Sequence, residues 1–177
     1  MALMLVLVAS GCAPEAEHEE ATAAPVMSPT TTNGVFISND EAVAAASAAY
    51  ERMRAMELDV ARAGGAGRDR FAEVAAEPFL TELMDGYAQM EADGHRLEGT
   101  TTYDAARIQE RWLEPDGEHI SIFACVDSTN IHIFDSSNSD ITNTEQLKRL
   151  TMLVKVVARS RDDVRVTGND IWSTDDC

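Results

Sequence analysis

Basic residues are scarce in this 177-residue chain: 14 Lys and Arg stand against 31 Asp and Glu, and none precedes Arg52. The resulting formal charge of -17 argues against non-specific binding to nucleic acid or to an anionic lipid surface. Long apolar runs are missing too. The longest, Met1 to Ala9, gives roughly 14 Å of helix at ~1.5 Å per residue, too short for a bilayer core of about 30 Å. Hydrophobic residues nevertheless make up 45% of the chain, enough for a core, and the length suits one globular unit.

Recognisable catalytic motifs are also lacking. There is no phosphate-binding glycine loop, no His-Glu-x-x-His helix and no nucleophile elbow. Gly64-Gly65-Ala66-Gly67 follows no strand and precedes no Lys-Ser/Thr, so it reads as a helix–helix linker. Asp135, Asn138 and Asp140 fail the spacing of a calcium loop. His18 sits in a glutamate run, and His95, His119 and His132 are scattered, although a hairpin could bring the last two together. No metal and no cofactor is expected.

What is present begins with Val8-Ala9-Ser10-Gly11-Cys12, an apolar run ending in small residues and a cysteine. It resembles the lipobox of bacterial lipoproteins, although the basic residues that normally precede such a run are missing. The resemblance implies a signal segment over residues 1–11 and a diacylglycerol thioether on Cys12. The chain would then be anchored to the cell membrane on its extracytoplasmic face. Residues 12–37 follow as a tether: Pro14, Pro25 and Pro29 interrupt it, four glutamates charge it, and no apolar period appears before Val35-Phe36-Ile37.

A single α+β domain is expected over residues 38–177. Ser38 and Glu41 form a capping box, and Val43, Ala46, Tyr50, Met53 and Val60 recur at helical spacing until Gly64-Gly65. A short helix over residues 69–75 and a third after Pro78, closed by Gly94, complete a three-helix set. The period then changes to two. Strands are predicted over residues 96–113, 119–128, 131–135, 150–158 and 164–172, with Gly99 as a bulge or bend and Pro115-Asp116-Gly117 as a turn. The expected architecture is three N-terminal helices packed on a curved antiparallel sheet of four to five strands.

That element order resembles the cone-shaped nuclear transport factor 2-like fold. Within it, Ala49-Tyr50-Glu51, Glu98-Gly99-Thr100-Thr101, Ala124-Cys125-Val126-Asp127 and Ile171-Trp172-Ser173 with terminal Cys177 resemble a family of small actinobacterial lipoproteins of unassigned biochemical role. Isomerases and hydratases on the cone fold pair an acidic base with a Tyr or a protonated Asp in an apolar cavity. Asp104 or Asp127, with Tyr50, Tyr87 or Tyr103, would be the corresponding groups. No motif places any of them, and no catalytic residue is assigned. Trp112 and Trp172 are expected to close the ends of the core, or to rim a pocket also lined by Tyr50, Tyr87 and Tyr103.

With Cys12 given to lipid, Cys125 and Cys177 remain, and an exported domain lives where disulfides persist. Pairing them would fasten the chain end to a central strand; two free thiols are the alternative. The leading reading is a lipid-anchored, non-enzymatic domain that binds an unidentified ligand or protein partner at the cell envelope, with no nucleic-acid partner. A cavity isomerase or hydratase, and a module that dimerises through its sheet, are the competitors.

Overall fold

The computed structural model describes residues 34–143, 149–174 and 177. The expected signal segment, the expected lipidation site at Cys12, His18 and the expected tether up to residue 33 lie outside the described residues. No described helix is long and apolar enough to cross a membrane.

Helix α1 spans Asn39–Arg62. Ser38 Oγ accepts from the Glu41 amide at 3.2 Å, while Glu41 Oε2 reaches one residue further back, to the amide of Ile37 at 2.9 Å. The face turned to the sheet carries Ala42, Ala46 and Ala49 beside Tyr50, Met53 and Val60, and its small residues let the helix approach closely. The helix ends at Gly64-Gly65. Gly65 has φ +89°, and a Cβ there would lie 2.2 Å from the Tyr87 carbonyl oxygen, so only glycine fits. Helix α2, Phe79–Asp93, closes on Gly94 in the left-handed conformation.

The expected set of three packed helices on a cone is not what forms. Between α1 and α2 the chain makes only a six-residue 3₁₀ helix, Arg68–Glu73. The reason is competition for the backbone that follows it. Val74 accepts from the Val166 amide at 3.0 Å, Ala76 donates to the Val166 carbonyl at 2.8 Å, and Ala75 makes an isolated parallel bridge to Val166. Residues that would have lengthened the helix are drawn onto the sheet edge instead, leaving Phe71 as its one fully buried side chain, packed on Tyr87 at 5.0 Å.

One antiparallel sheet carries four strands in the order of the chain: β1 Arg96–Glu114, β2 Gly117–Phe134, β3 Arg149–Ala158 and β4 Val164–Ser173. The two strands expected at 119–128 and 131–135 are one. β1 is long enough to pair with β2 from Glu114–Gly117 to Arg96–Phe134, and the ladder continues past Ser128 and Thr129 through a register shift between Thr100 and Thr102. Gly99 lies opposite Ile131 with φ +102°, where a Cβ would meet the Asn130 carbonyl oxygen at 1.7 Å. The helices cover one face of the sheet only. On that face Ile120, Ile122, Ala124 and Val126 of β2 join Val154, Val156 and Val166 to form the core against α1.

The folded part starts earlier than composition suggests. Gly34 to Phe36, expected to be tether, lie against the domain, and Phe36 is 2% exposed. The Phe36 peptide is held from both sides. Its N–H donates to Glu118 Oε2 at 3.1 Å, and its carbonyl accepts from Arg111 Nη2 at 2.8 Å. Glu118 and Arg111 also form an ion pair with each other, with side chains 1% and 11% exposed.

Candidate functional site

At the end of the core away from Phe36, the sheet and helices part to leave a cleft of about 220 Å³. Its walls are apolar, with Leu58 and Ala61 from α1 facing Val126, Leu150 and Met152 from the sheet. Its polar lining comes from Tyr50, Arg54 and Glu57 of α1, Tyr87 of α2, Thr101 of β1, Ser128 of β2 and Asn169 of β4. A second hollow of about 350 Å³, lined also by Glu51 and Tyr103, shares Arg54, Leu58 and Thr101 with the first. The Arg54 side chain therefore contributes to both.

The centre of the cleft is an ion pair. Arg54 Nη1 donates to Glu57 Oε2 at 2.6 Å, and Nη2 donates to Thr101 Oγ1 at 3.0 Å. The two side chains are 22% and 12% exposed. Burial raises the Glu57 pKa, against the pull of the Arg54 charge and hydrogen bond. Burial opposes the charge on Arg54 most strongly, but the facing Glu57 together with Tyr50 and Tyr87 outweighs it and the guanidinium pKa moves up. Each member of the pair offsets part of the cost of burying the other.

Three tyrosines cluster around this pair. Tyr50 donates its hydroxyl to Asn169 Oδ1 at 3.2 Å and meets Tyr103 edge to face at 5.2 Å. Tyr103 donates to the Ser47 carbonyl at 3.1 Å. Burial pushes the Tyr50 phenol up to about 12; Tyr103 also rises to about 12, through desolvation and then the nearby Glu51. Tyr87 is raised as well, chiefly by burial and then by Glu57. All three are phenols at neutral pH and act as neutral hydrogen-bonding groups. The Tyr87 hydroxyl has no hydrogen-bond partner among the described residues.

The structure thus gathers Tyr50 and Tyr87 in one cleft and Tyr103 in the hollow beside it. Trp112 and Trp172 join neither. Both lie on the sheet face turned away from the helices, where Trp112 stacks on His119 at 5.2 Å and Trp172 packs on Phe123 at 5.0 Å. They are 37% and 59% exposed, so they do not close the core. Strand alternation explains this: Trp112 pairs with His119 across β1 and β2, and odd-numbered positions of β2 from His119 to Asp127 face outward.

The acids considered as bases are on that outer face too. Asp104 contacts Arg149 at 3.5 Å with its side chain 63% exposed. Asp127 accepts from the Thr129 amide at 2.8 Å, and its pKa is lowered by its bonds to Thr129 and then by Arg149. Neither touches a tyrosine in a pocket. His119 and His132 do not meet across a hairpin, because both belong to β2.

His119 instead joins Glu114 and Asp116 around the β1–β2 turn, with candidate ligand atoms within 4.8 Å of one another. Asp116 already bonds His119 at 2.9 Å and Glu114 accepts from Trp112 Nε1 at 2.9 Å, which accounts for their placement. In the polar loop, Asp135 Oδ1 accepts from Ser137 and Ser139 amides at 2.9 Å each, so it organises a turn. Cys125 and Cys177 are joined by a disulfide on the outer face, with Cα atoms 5.8 Å apart.

Arg54 and Glu57, the charged centre of the cleft, were not singled out by sequence reasoning. A signal existed. Tyr50, Arg54, Glu57 and Ala61 follow one another at spacings of four, three and four, which places the two charges on the buried stripe rather than beside it.

No family model matches the chain, and no curated protein matches it. Among solved structures it is similar to the intermembrane space region of the chloroplast protein ARC6. The two share 13% identity with a TM-score of 0.52, over 73% of this chain and 95% of that one. At that identity the likeness concerns the fold alone.

Proposed function

We propose that the chain is a membrane-tethered binding domain, held at the outer face of the cytoplasmic membrane by lipid on Cys12, whose cleft receives a small, largely apolar ligand. The observation that carries the binding role is the cleft itself: apolar walls around a few convergent polar groups, the usual composition of a ligand site. Acid–base chemistry through Asp104 or Asp127 has no support, since both lie across the sheet from the cleft. The sheet's outer face offers the alternative of a contact with a second copy. However, Arg107, Lys155 and Asp170 break up its aromatic surface around Phe123 and Trp172.

Two experiments test this reading. The uncharged dye N-phenylnaphthylamine should gain fluorescence on the wild-type protein. Leu97→Trp and Ile131→Trp, which fill the cleft from its half-buried sheet side, should each remove most of that gain while far-ultraviolet circular dichroism stays unchanged. Equal dye binding by the filled variants would refute the site. Separately, Cys12→Ser in the native host should abolish lipid labelling and move the protein out of the membrane fraction, because two acyl chains are needed for stable retention. A Cys12→Ser protein that still fractionates with membranes would refute the anchor.

A further inference from the structure

We propose that the cleft selects an uncharged ligand with an apolar body and a hydrogen-bond acceptor next to a donor, as in an amide: Arg54 and Tyr87 meet the acceptor, and Glu57 meets the donor. This rests on the reading of the cleft as a binding site and adds the chemical class of its occupant.

The first argument is the hydrogen-bonding capacity left unused. A guanidinium carries five N–H donors. Arg54 directs one to Glu57 and one to Thr101, leaving others for a ligand. Glu57 uses Oε2 for Arg54, and no described residue hydrogen-bonds its Oε1. Tyr87 lines the same cleft, and its hydroxyl has no hydrogen-bond partner among the described residues. Donor and acceptor capacity therefore coexist inside a largely apolar cleft. A purely hydrocarbon ligand would leave both unanswered, at the desolvation cost of buried polar groups.

The second argument is charge. Arg54 and Glu57 cancel, so the cleft offers no net charge to repay the desolvation of an ionised ligand. An anion could reach the same unused Arg54 donors, but the Glu57 carboxylate beside them would repel it, and it would first have to approach a protein carrying -17. A cation would be drawn by that field but would meet Arg54 beside Glu57. A neutral amide satisfies both members of the pair without separating them.

Benzamide, benzoate and benzamidinium share one shape and differ in charge, and they are the probes. Each is titrated into the isotope-labelled full chain, with amide shifts read at the cleft residues Tyr87, Thr101 and Asn169. Benzamide is expected to bind at least about 10-fold more tightly than either ion, the order of effect for an uncompensated buried charge. Glu57→Gln leaves Arg54 without its counter-ion and should shift the benzamide-to-benzoate preference toward benzoate by about 5-fold or more, while Tyr87→Phe should weaken benzamide and benzoate, which carry an acceptor, and leave benzamidinium, which has none, unchanged. Tighter binding of benzoate or benzamidinium by the wild type overturns the proposal, as does a preference unchanged in Glu57→Gln. If none of the three shifts the cleft signals while N-phenylnaphthylamine still binds, the amide selectivity is wrong and the cleft reading survives. If the dye fails as well, the cleft reading itself falls.

Discussion

Glu118→Ala is expected to destabilise the domain by about 3–5 kcal/mol, because it leaves Arg111 buried without its counter-charge. Glu118 is 1% exposed, and its carboxylate holds both Arg111 and the Phe36 amide. Gly34 has no side chain to spare at this point, since a Cβ there would lie 2.8 Å from Glu118 Oε2. The pair therefore seals the place where the chain enters the domain. Urea unfolding of the single variants should show losses larger than that of Glu118→Leu with Arg111→Met, in which no buried charge is left alone. The second expected effect is local: the single variants should become sensitive to proteolysis just after Phe36. A Glu118→Ala variant within about 1 kcal/mol of wild type would show that water reaches this pair and that burial does not govern it.

Replacing both Cys125 and Cys177 by serine should cost about 4 kcal/mol, the chain-entropy value for a closed loop of this length. The bridge spans a sequence separation of 52 and joins the centre of β2 to the chain end. For a domain of this size the melting temperature should fall by roughly 10–15 °C. Wild-type protein in reductant should melt with the double variant, and intact-mass analysis of the oxidised protein should show no free thiol at either position. Equal melting temperatures with and without reductant, or two alkylatable thiols without it, would show that the bridge does not form. The aromatic pair Phe123–Trp172, just before the terminal segment, gives a local readout: Trp172 fluorescence should shift when the bridge is lost.

Local signals placed the helix ends and most of the strand positions correctly. Ser38 opens α1, Gly64-Gly65 ends it and Gly94 ends α2, because caps and left-handed stops depend on residues within a turn of one another. Alternation along β2 puts Ile120, Ile122 and Val126 on one face and Phe123 and Cys125 on the other, and the structure packs the first set into the core. Local pattern failed where a distant partner changed the outcome. The segment after Phe71 left its helix for a bridge to Val166 in β4, and the stretch between Ser128 and Ile131 stayed extended because β1 runs alongside it.

Charge shows the same division. Composition alone fixes the -17 surplus and therefore the field that any ligand meets. Whether a given carboxylate sits in water or in the core depends on what reaches it. Glu118 faces inward in the same register as Ile120, but it can do so only because Arg111 and the Phe36 peptide, distant in sequence, arrive to pair with it. Glu57 lies on the buried stripe of α1 three residues from Arg54, a spacing that the sequence displays. That this stripe ends against a cleft, with Thr101 and Asn169 on the opposite side, follows only from the packing of α1 across the sheet. Periodicity is a property of neighbours along the chain, whereas a buried charge is stabilised by groups that only the tertiary fold brings together.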